Sequence, residues 1–281
     1  EPCPNIGGHV KLLSILIAAV LWMPLWADSM ADFDKFIEIA VKELEVPGAS
    51  VVVIKDDKVL FAKGYGKRNI NNNAKVDANT IFQLASVSKT FTAGTVALAV
   101  DKKKLAWDDE IILHMPEFVL KDIYATRYAT SRDLLAHSTG LPAFQGDLLD
   151  NLGFTQNEIL ARIRYLDPAV SFREKALYSN IGYFVSGMLV EKVLENSWTK
   201  VLTDGIFKPL KMNRSGAVEN LKDENVAIPH ALVDGAIKVI PRNVDEAFKG
   251  AGGLYSTAND LGNWIIMQMN EGKFKGEQVI S

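Results

Sequence analysis

An α+β fold is predicted from three features of the chain. It opens with a helix followed by a valine-rich strand run and a second strand run about a double-aspartate turn; helical spacing prevails through a long middle stretch; and two short strand-like pieces, a glycine cluster and a last helix follow. With 281 residues and 48% hydrophobic content, the chain can bury a substantial core in one large domain or in two interleaved lobes. The net charge of −3 leaves no overall basic footprint, and Lys102-Lys103-Lys104 is a short run at an expected helix end, so nucleic acid is not expected as a partner.

The elements follow in order. Lys11 precedes the apolar run from Leu12 to Trp22, Pro24 breaks it, and Leu25-Trp26-Ala27 offers a small residue for cleavage before Asp28. That layout is a secretory signal peptide, so residues 1–27 are expected to be a leader and the protein to be exported, periplasmic or secreted. The run is short of the roughly 20 residues of a comfortable membrane span; an uncleaved anchor is the alternative. Glu1 to His9 do not fit such a leader, and Val10 is read as a non-AUG start. The single cysteine, Cys3, falls in this segment, so no disulfide is expected within the mature chain.

Phe33, Phe36, Ile37, Ala40, Val41 and Leu44 fall at helical spacing until Pro47-Gly48 stops the pattern. Ala49 to Ile54 and Val59 to Tyr65 read as a hairpin about Asp56-Asp57. Asn69 to Asn79 is a polar loop, and Ile81 to Leu105 reads as one buried helix with Ser86 near its start. Helical patterns continue to about residue 211, including Arg132 to His137 and Ile181 to Leu194. Two strand pieces lie between Val226 and Ile240, and Gly250-Ala251-Gly252-Gly253 leads to a helix from about Ala258 to Asn270, with Ser256 and Thr257 as natural caps.

Chemistry concentrates at Ser86-Val87-Ser88-Lys89. Residues i and i+3 share a helix face, which would set the Lys89 amine beside the Ser86 hydroxyl. A serine hydroxyl becomes a useful nucleophile when an adjacent group takes its proton, and a lysine can do so where burial or neighbouring charge disfavours the ammonium. About one Ser-x-x-Lys is expected by chance at this length and composition, and a second copy, Ser197-Trp198-Thr199-Lys200, is read as a solvated surface pattern. Tyr178-Ser179-Asn180 is the chain's one Tyr-x-Asn and stands just before an apolar-periodic helix. Asn180 could simply cap that helix; beside Ser86 and Lys89, the Tyr178 oxygen could instead be stabilised as a phenolate or relay a proton, and the amide bind a carbonyl and steady the lysine. His137 in a Ser-Thr-Gly turn is read as a hydrogen-bonded turn residue. No Gly-x-Ser-x-Gly elbow, His-Glu-x-x-His helix or Walker loop occurs, so neither metal nor cofactor is expected.

Together these motifs resemble the serine β-lactamases of class C, with the related D-Ala-D-Ala carboxypeptidases, penicillin-binding proteins and β-lactamase-fold esterases. Further stretches carry the same likeness: Phe82 to Ala85, Leu134 to Pro142 and Ala251 to Leu261. The resemblance implies a β-lactamase/transpeptidase-like fold in residues 28–281, with an α/β lobe from 28–80 and about 225–281 and an inserted helical lobe from about 81–224. It implies Ser86 as nucleophile, Lys89 as its activating neighbour, Tyr178 as general base and Asn180 as a substrate-orienting amide. The Ser86 N–H would form half of an oxyanion hole. The implied substrate is a small molecule, a β-lactam, an ester or a D-Ala peptide, with no obligate protein partner. The family's third motif, Lys-Thr-Gly or a His-x-Gly or Trp-x-Gly variant, does not occur here. The closing strands are therefore expected to be missing and turnover to be weak, since one lost oxyanion donor costs on the order of 10² to 10³ in rate. An esterase or D-Ala-D-Ala carboxypeptidase on the same fold, a penicillin-binding module that does not turn over and an inactive fragment are the alternatives.

Overall fold

The computed structural model describes residues 30–242 and 246–281; the expected leader lies outside them. Two compact units divide the chain, residues 1–46 and 47–281. In the first, helix α1 spans Met30–Glu43, with Asp32 in its first turn and Lys42 in its last, charges that suit the two ends of the helix dipole. Glu45 takes a left-handed φ of 53° and the Val46 N–H returns to the Val41 carbonyl at 3.0 Å, which ends the helix.

The second unit opens with the expected hairpin. Strand β1 (Gly48–Lys55) pairs antiparallel with β2 (Lys58–Gly66), from Gly48 opposite Gly66 to Lys55 opposite Lys58, with one irregularity at Val53/Ile54. Asp56 and Asp57 both adopt positive φ, 48° and 62°, the backbone that a two-residue hairpin turn requires and that aspartate tolerates.

The segment Ile81 to Leu105 differs from the single helix expected. Phe82–Gln83 forms a strand, β3, residues Ala85–Val87 make a tight 3-10 turn, and helix α2 runs only over Ser88–Asp101. A short apolar run cannot by itself distinguish strand from helix; here pairing partners far along the chain decide. Strand β3 lies against β7 (Leu254–Ser256), whose other edge takes β4 (Gly216–Ala217), both pairs antiparallel. Strands β5 (His230–Val233) and β6 (Ala236–Val239) form a separate hairpin.

The core is helical. Helix α2 packs on α7 (Asn180–Leu194), and both meet the short helix α9 (Lys249–Gly252). Phe91, Val96 and Ala99 of α2, Val185, Leu189 and Val190 of α7, and Trp198 of α8 (Trp198–Leu202) are fully buried. The Trp198 ring N–H is satisfied by the Thr95 hydroxyl at 3.2 Å. Three short helices, α3 (Ile111–His114), α4 (Ile123–Tyr128) and α6 (Gln156–Arg162), fill out the body. Helix α5 (Ser131–Leu135) is held by a capping box in which the Asp133 carboxylate accepts from both the N–H and the hydroxyl of Thr130, at 2.9 Å each. Arg173 closes on the same carboxylate through two nitrogens at 2.8 and 2.7 Å. At Gly182 a Cβ would come 2.4 Å from the Leu134 carbonyl oxygen, so α7 can sit this close to α5 only with glycine there.

Helix α10 (Ala258–Met269) starts at Thr257, whose hydroxyl accepts from the Asp260 N–H at 3.1 Å. Ser256, the other expected cap, belongs to β7, and its hydroxyl instead meets that of Ser215 at 2.7 Å. A last small hairpin joins β8 (Lys273–Phe274) to β9 (Glu277–Gln278).

Candidate active site

Ser86 and Lys89 meet, by a route other than a continuous α-helix. The Leu84 N–H donates to the Leu254 carbonyl at 2.8 Å, extending the β3–β7 contact, and the next residue, Ala85, takes a left-handed φ of 44°. That conformation is unfavourable for alanine and breaks the strand abruptly. The chain then enters the 3-10 turn, where residues three apart eclipse, so Ser86 and Lys89 remain on one side. Ser86 is exposed, while Ser88 is fully buried and its hydroxyl accepts the Leu254 N–H at 3.1 Å. Of the two serines in the motif, Ser86 is the one open to a ligand.

Lys89 is only 6% exposed, yet its ammonium is fully engaged. Its Nζ lies 3.2 Å from Ser86 Oγ, 2.6 Å from Asn180 Oδ1 and 2.8 Å from the Ala251 carbonyl oxygen. Three N–H donors thus find three acceptors, which satisfies a buried charge in full. The same Nζ sits 4.9 Å and 5.5 Å from the ring centroids of Tyr178 and Tyr183. Ser86 Oγ and the Tyr178 hydroxyl oxygen are 2.6 Å apart. With Lys89 donating to one lone pair of Ser86 Oγ, the serine and tyrosine hydroxyls share a single hydrogen bond in which either oxygen can be the donor.

Asn180 is not the helix cap that the simplest reading of its position suggested. Ser179 occupies the cap position without a side-chain bond, and Asn180 is the first residue of α7. Its amide is stretched between Lys89 on the oxygen side and Asp147 on the nitrogen side, where Nδ2 donates to Asp147 Oδ2 at 2.6 Å. Asp147 and the Ala251 carbonyl are the two members of this cluster that sequence reasoning missed. Neither lies in a recognisable motif: one is the aspartate that opens the 3-10 turn Asp147–Leu149 and the other a backbone atom.

His137 is a turn residue, as expected, with a left-handed φ of 59°. Its carbonyl accepts from the Leu177 N–H at 2.9 Å and its Nδ1 from the Ser179 N–H at 3.2 Å, so both sides brace the Tyr178 segment. Its ring centroid lies 4.8 Å from that of Tyr178 and 5.2 Å from that of Tyr183. Burial, and then the nearby Lys89 charge, push the imidazole below its ordinary value and favour the neutral ring. Burial raises the Tyr183 phenol, which donates to the Leu135 carbonyl at 3.0 Å.

A cavity of about 350 Å³ opens on these groups, with Ser86, Asp147, Asn180, Phe248 and the segment from Ala251 to Gly253 in its wall. The second Ser-x-x-Lys stands elsewhere: Ser197 caps α8 by accepting the Lys200 N–H at 3.3 Å, and the Lys200 ammonium is bound to Asp204. Among the described residues, no cluster of acidic, histidine or cysteine side chains could hold a metal ion, and no helix is long and apolar enough to cross a membrane.

The mixed fold and the Ser-Lys-Tyr cluster on its helical core define a protein of the β-lactamase/transpeptidase-like class. The beta-lactamase family model matches residues 33–280, and the chain belongs to that family. Among curated proteins it is similar to Protein flp of Staphylococcus aureus (strain N315), 28% identical over 247 residues, covering 86% of this chain and 49% of that one. It is also similar to Unguisins hydrolase ungD of Aspergillus violaceofuscus, 27% identical over 258 residues, covering 85% and 45% respectively. The chain thus spans about half the length of these relatives. Among solved structures, the octameric penicillin-binding protein homologue from Pyrococcus abyssi superposes with a TM-score of 0.78 at 28% identity, covering 90% of this chain and 58% of that one. A class C beta-lactamase superposes with a TM-score of 0.74 at 22% identity, covering 88% and 66%, which speaks to the fold alone.

Proposed function

We propose that the chain carries the acyl-transfer site of an exported serine hydrolase of the class C β-lactamase type, which opens β-lactam or related amide bonds through a Ser86 acyl-enzyme. The observation that carries this reading is the hydroxyl pair of Ser86 and Tyr178 at 2.6 Å, beside a lysine whose remaining donors are tied to Asn180 and Ala251. Ser86 Oγ attacks the carbonyl carbon as its proton passes to the Tyr178 oxygen, and in the same relay the Tyr178 hydroxyl gives its own proton to the departing nitrogen or oxygen as that bond breaks, so the phenol is regenerated. In the second half, water loses a proton to Tyr178, attacks the ester carbonyl and releases the acid, and the proton returns to Ser86 Oγ. Lys89 holds Ser86 and Asn180 in place and supplies positive charge beside the reacting oxygens. Asn180 orients the substrate carbonyl, and the Ser86 N–H serves as an oxyanion donor. The division into an α/β lobe (28–80 and about 225–281) and a helical lobe (about 81–224), with this site between them, belongs to the same proposal, as does export directed by residues 1–27.

The test is incubation with a chromogenic cephalosporin, a nitrophenyl ester and a fluorescent penicillin, followed by intact mass. A covalent adduct on Ser86 that Ser86→Ala abolishes is expected. Tyr178→Phe keeps the ring contacts but removes the hydroxyl, and should slow acylation by about 10² to 10⁴, the usual span for a lost general base. Absence of both hydrolysis and any adduct, or hydrolysis or an adduct that persists in Ser86→Ala, would refute the reading. Preference between cephalosporin and ester separates lactamase from esterase, and an adduct that forms but never releases marks a penicillin-binding module.

A further inference from the structure

We infer that Asp147 is a positioning residue for acyl transfer at Ser86: its carboxylate holds the Asn180 amide in the orientation that turns the amide oxygen onto Lys89. The inference rests on the acyl-transfer reading above. Its basis is a line of contacts through three separated segments. Asp147 Oδ2 accepts from Asn180 Nδ2 at 2.6 Å, Asn180 Oδ1 accepts from Lys89 Nζ at 2.6 Å, and Lys89 Nζ donates to Ser86 Oγ at 3.2 Å.

An asparagine side chain in the first turn of a helix has a competing use, which is to fold back and bond the free backbone N–H groups there. Here Ser179 makes no side-chain cap, and Asn180 is drawn outward. With Asp147 Oδ2 accepting from Nδ2, the nitrogen end of the amide is held at Asp147 and the oxygen end is left to Lys89. The loop that presents Asp147 is built for fixed placement. Phe144 and Gly146 both take left-handed φ, 63° and 86°, on either side of Gln145, and a Cβ at Gly146 would sit 3.3 Å from Leu166 and 3.4 Å from Ile181, the residue next to Asn180. The Gln145 amide, oriented to satisfy both of its ends, exchanges bonds of 3.0 and 3.2 Å with the Asp167 backbone. Left-handed backbone at a non-glycine residue is costly and persists where surrounding contacts enforce it. The loop carries that cost at the point where it delivers a carboxylate to the cavity wall.

The test is the rate of Ser86 acylation by p-nitrophenyl acetate, read by intact mass, in a double-mutant cycle. Asp147→Ala should slow acylation about tenfold or more, as expected for losing one charge-assisted bond. Asp147→Asn, whose amide oxygen can still accept from Asn180, should recover most of that loss. On an Asn180→Ala background, Asp147→Ala should cost nothing further, because the two residues act as one unit. Melting curves on each variant separate this from simple unfolding. Equal rates for Asp147→Ala and wild type, or fully additive losses, would overturn the inference. A second measurement needs no turnover: the side-chain amide ¹H–¹⁵N signals of Asn180 should shift and lose protection from solvent exchange in Asp147→Ala. If the wild-type chain neither hydrolyses the ester nor forms an adduct on Ser86, the hydrolase reading falls and the role in acyl transfer falls with it; the amide signals then decide only whether Asp147 holds Asn180, displaced signals upholding that contact and unchanged ones rejecting it.

Discussion

At the scale of single residues, the site depends on polar groups whose partners are fully specified. Lys89 matches three donors to three acceptors, and His137 braces the Tyr178 segment through its carbonyl and one ring nitrogen. Because that nitrogen accepts an N–H, His137 works as a neutral ring, and burial and the Lys89 charge hold its pKa below the ordinary value of 6.5. The unfolded chain therefore takes up this proton first as pH falls. Between the ordinary value and the depressed one, the unfolded state binds more protons than the folded state, so stability declines as pH drops through that window and is fully present above it. Urea titrations from pH 8 to 5 should show this slope. Replacing His137 with asparagine, which tolerates left-handed φ, should flatten it; an unchanged slope would mean that His137 titrates as it does in the unfolded chain.

At the scale of elements, close approach sets the geometry. Gly182 brings α7 against α5, and at Gly250 a Cβ would fall 2.9 Å from the Tyr183 carbonyl oxygen, so α9 also lies hard against α7. Gly182→Ala should destabilise the fold by about 1 to 3 kcal/mol, the usual cost of forcing atoms into a filled contact. Chemical denaturation will measure it, and a loss below about 0.5 kcal/mol would show that the helices can part without cost. The elements were unevenly legible in the sequence. The β1–β2 hairpin was readable because its signal is local: a valine-rich run and a second apolar run on either side of two aspartates that accept positive φ. The start of α2 was misread because Phe82-Gln83 becomes a strand only through Tyr255 and Ser256, more than 170 positions away. Ser86, Lys89, Tyr178 and Asn180 were legible because two short motifs, neither decisive alone, stand together with further stretches that resemble a known family. Asp147 did not, since its part arises from a loop folded onto α7, and no local pattern encodes where a loop aspartate will land.

At the scale of the whole molecule, the site and the core are one object within residues 47–281. Trp264 of α10 stacks on Phe91 at 4.3 Å, and Phe91 lies two positions from Lys89 on α2. The same α10 meets the hairpin through Gly262, where a Cβ would be 3.3 Å from Val52 and 3.4 Å from Ile54. Tryptophan fluorescence and Ser86 acylation should consequently be lost in one transition on heating, with coincident midpoints; acylation that fails well before the fluorescence changes would mean that the site melts on its own. The grip on Lys89 also has an unusual inheritance. One of its three anchors is the Ala251 carbonyl, and every amino acid at position 251 brings the same oxygen. Substitution of that residue does not delete the anchor, so sequence drift at 251 is constrained by the buried, apolar surroundings of the side chain and by the N–H that donates to the Phe248 carbonyl at 2.8 Å, not by the need for a particular acceptor group. An engineer wishing to loosen the lysine would have to move the backbone of the glycine-rich segment itself, or replace that one peptide bond by synthesis.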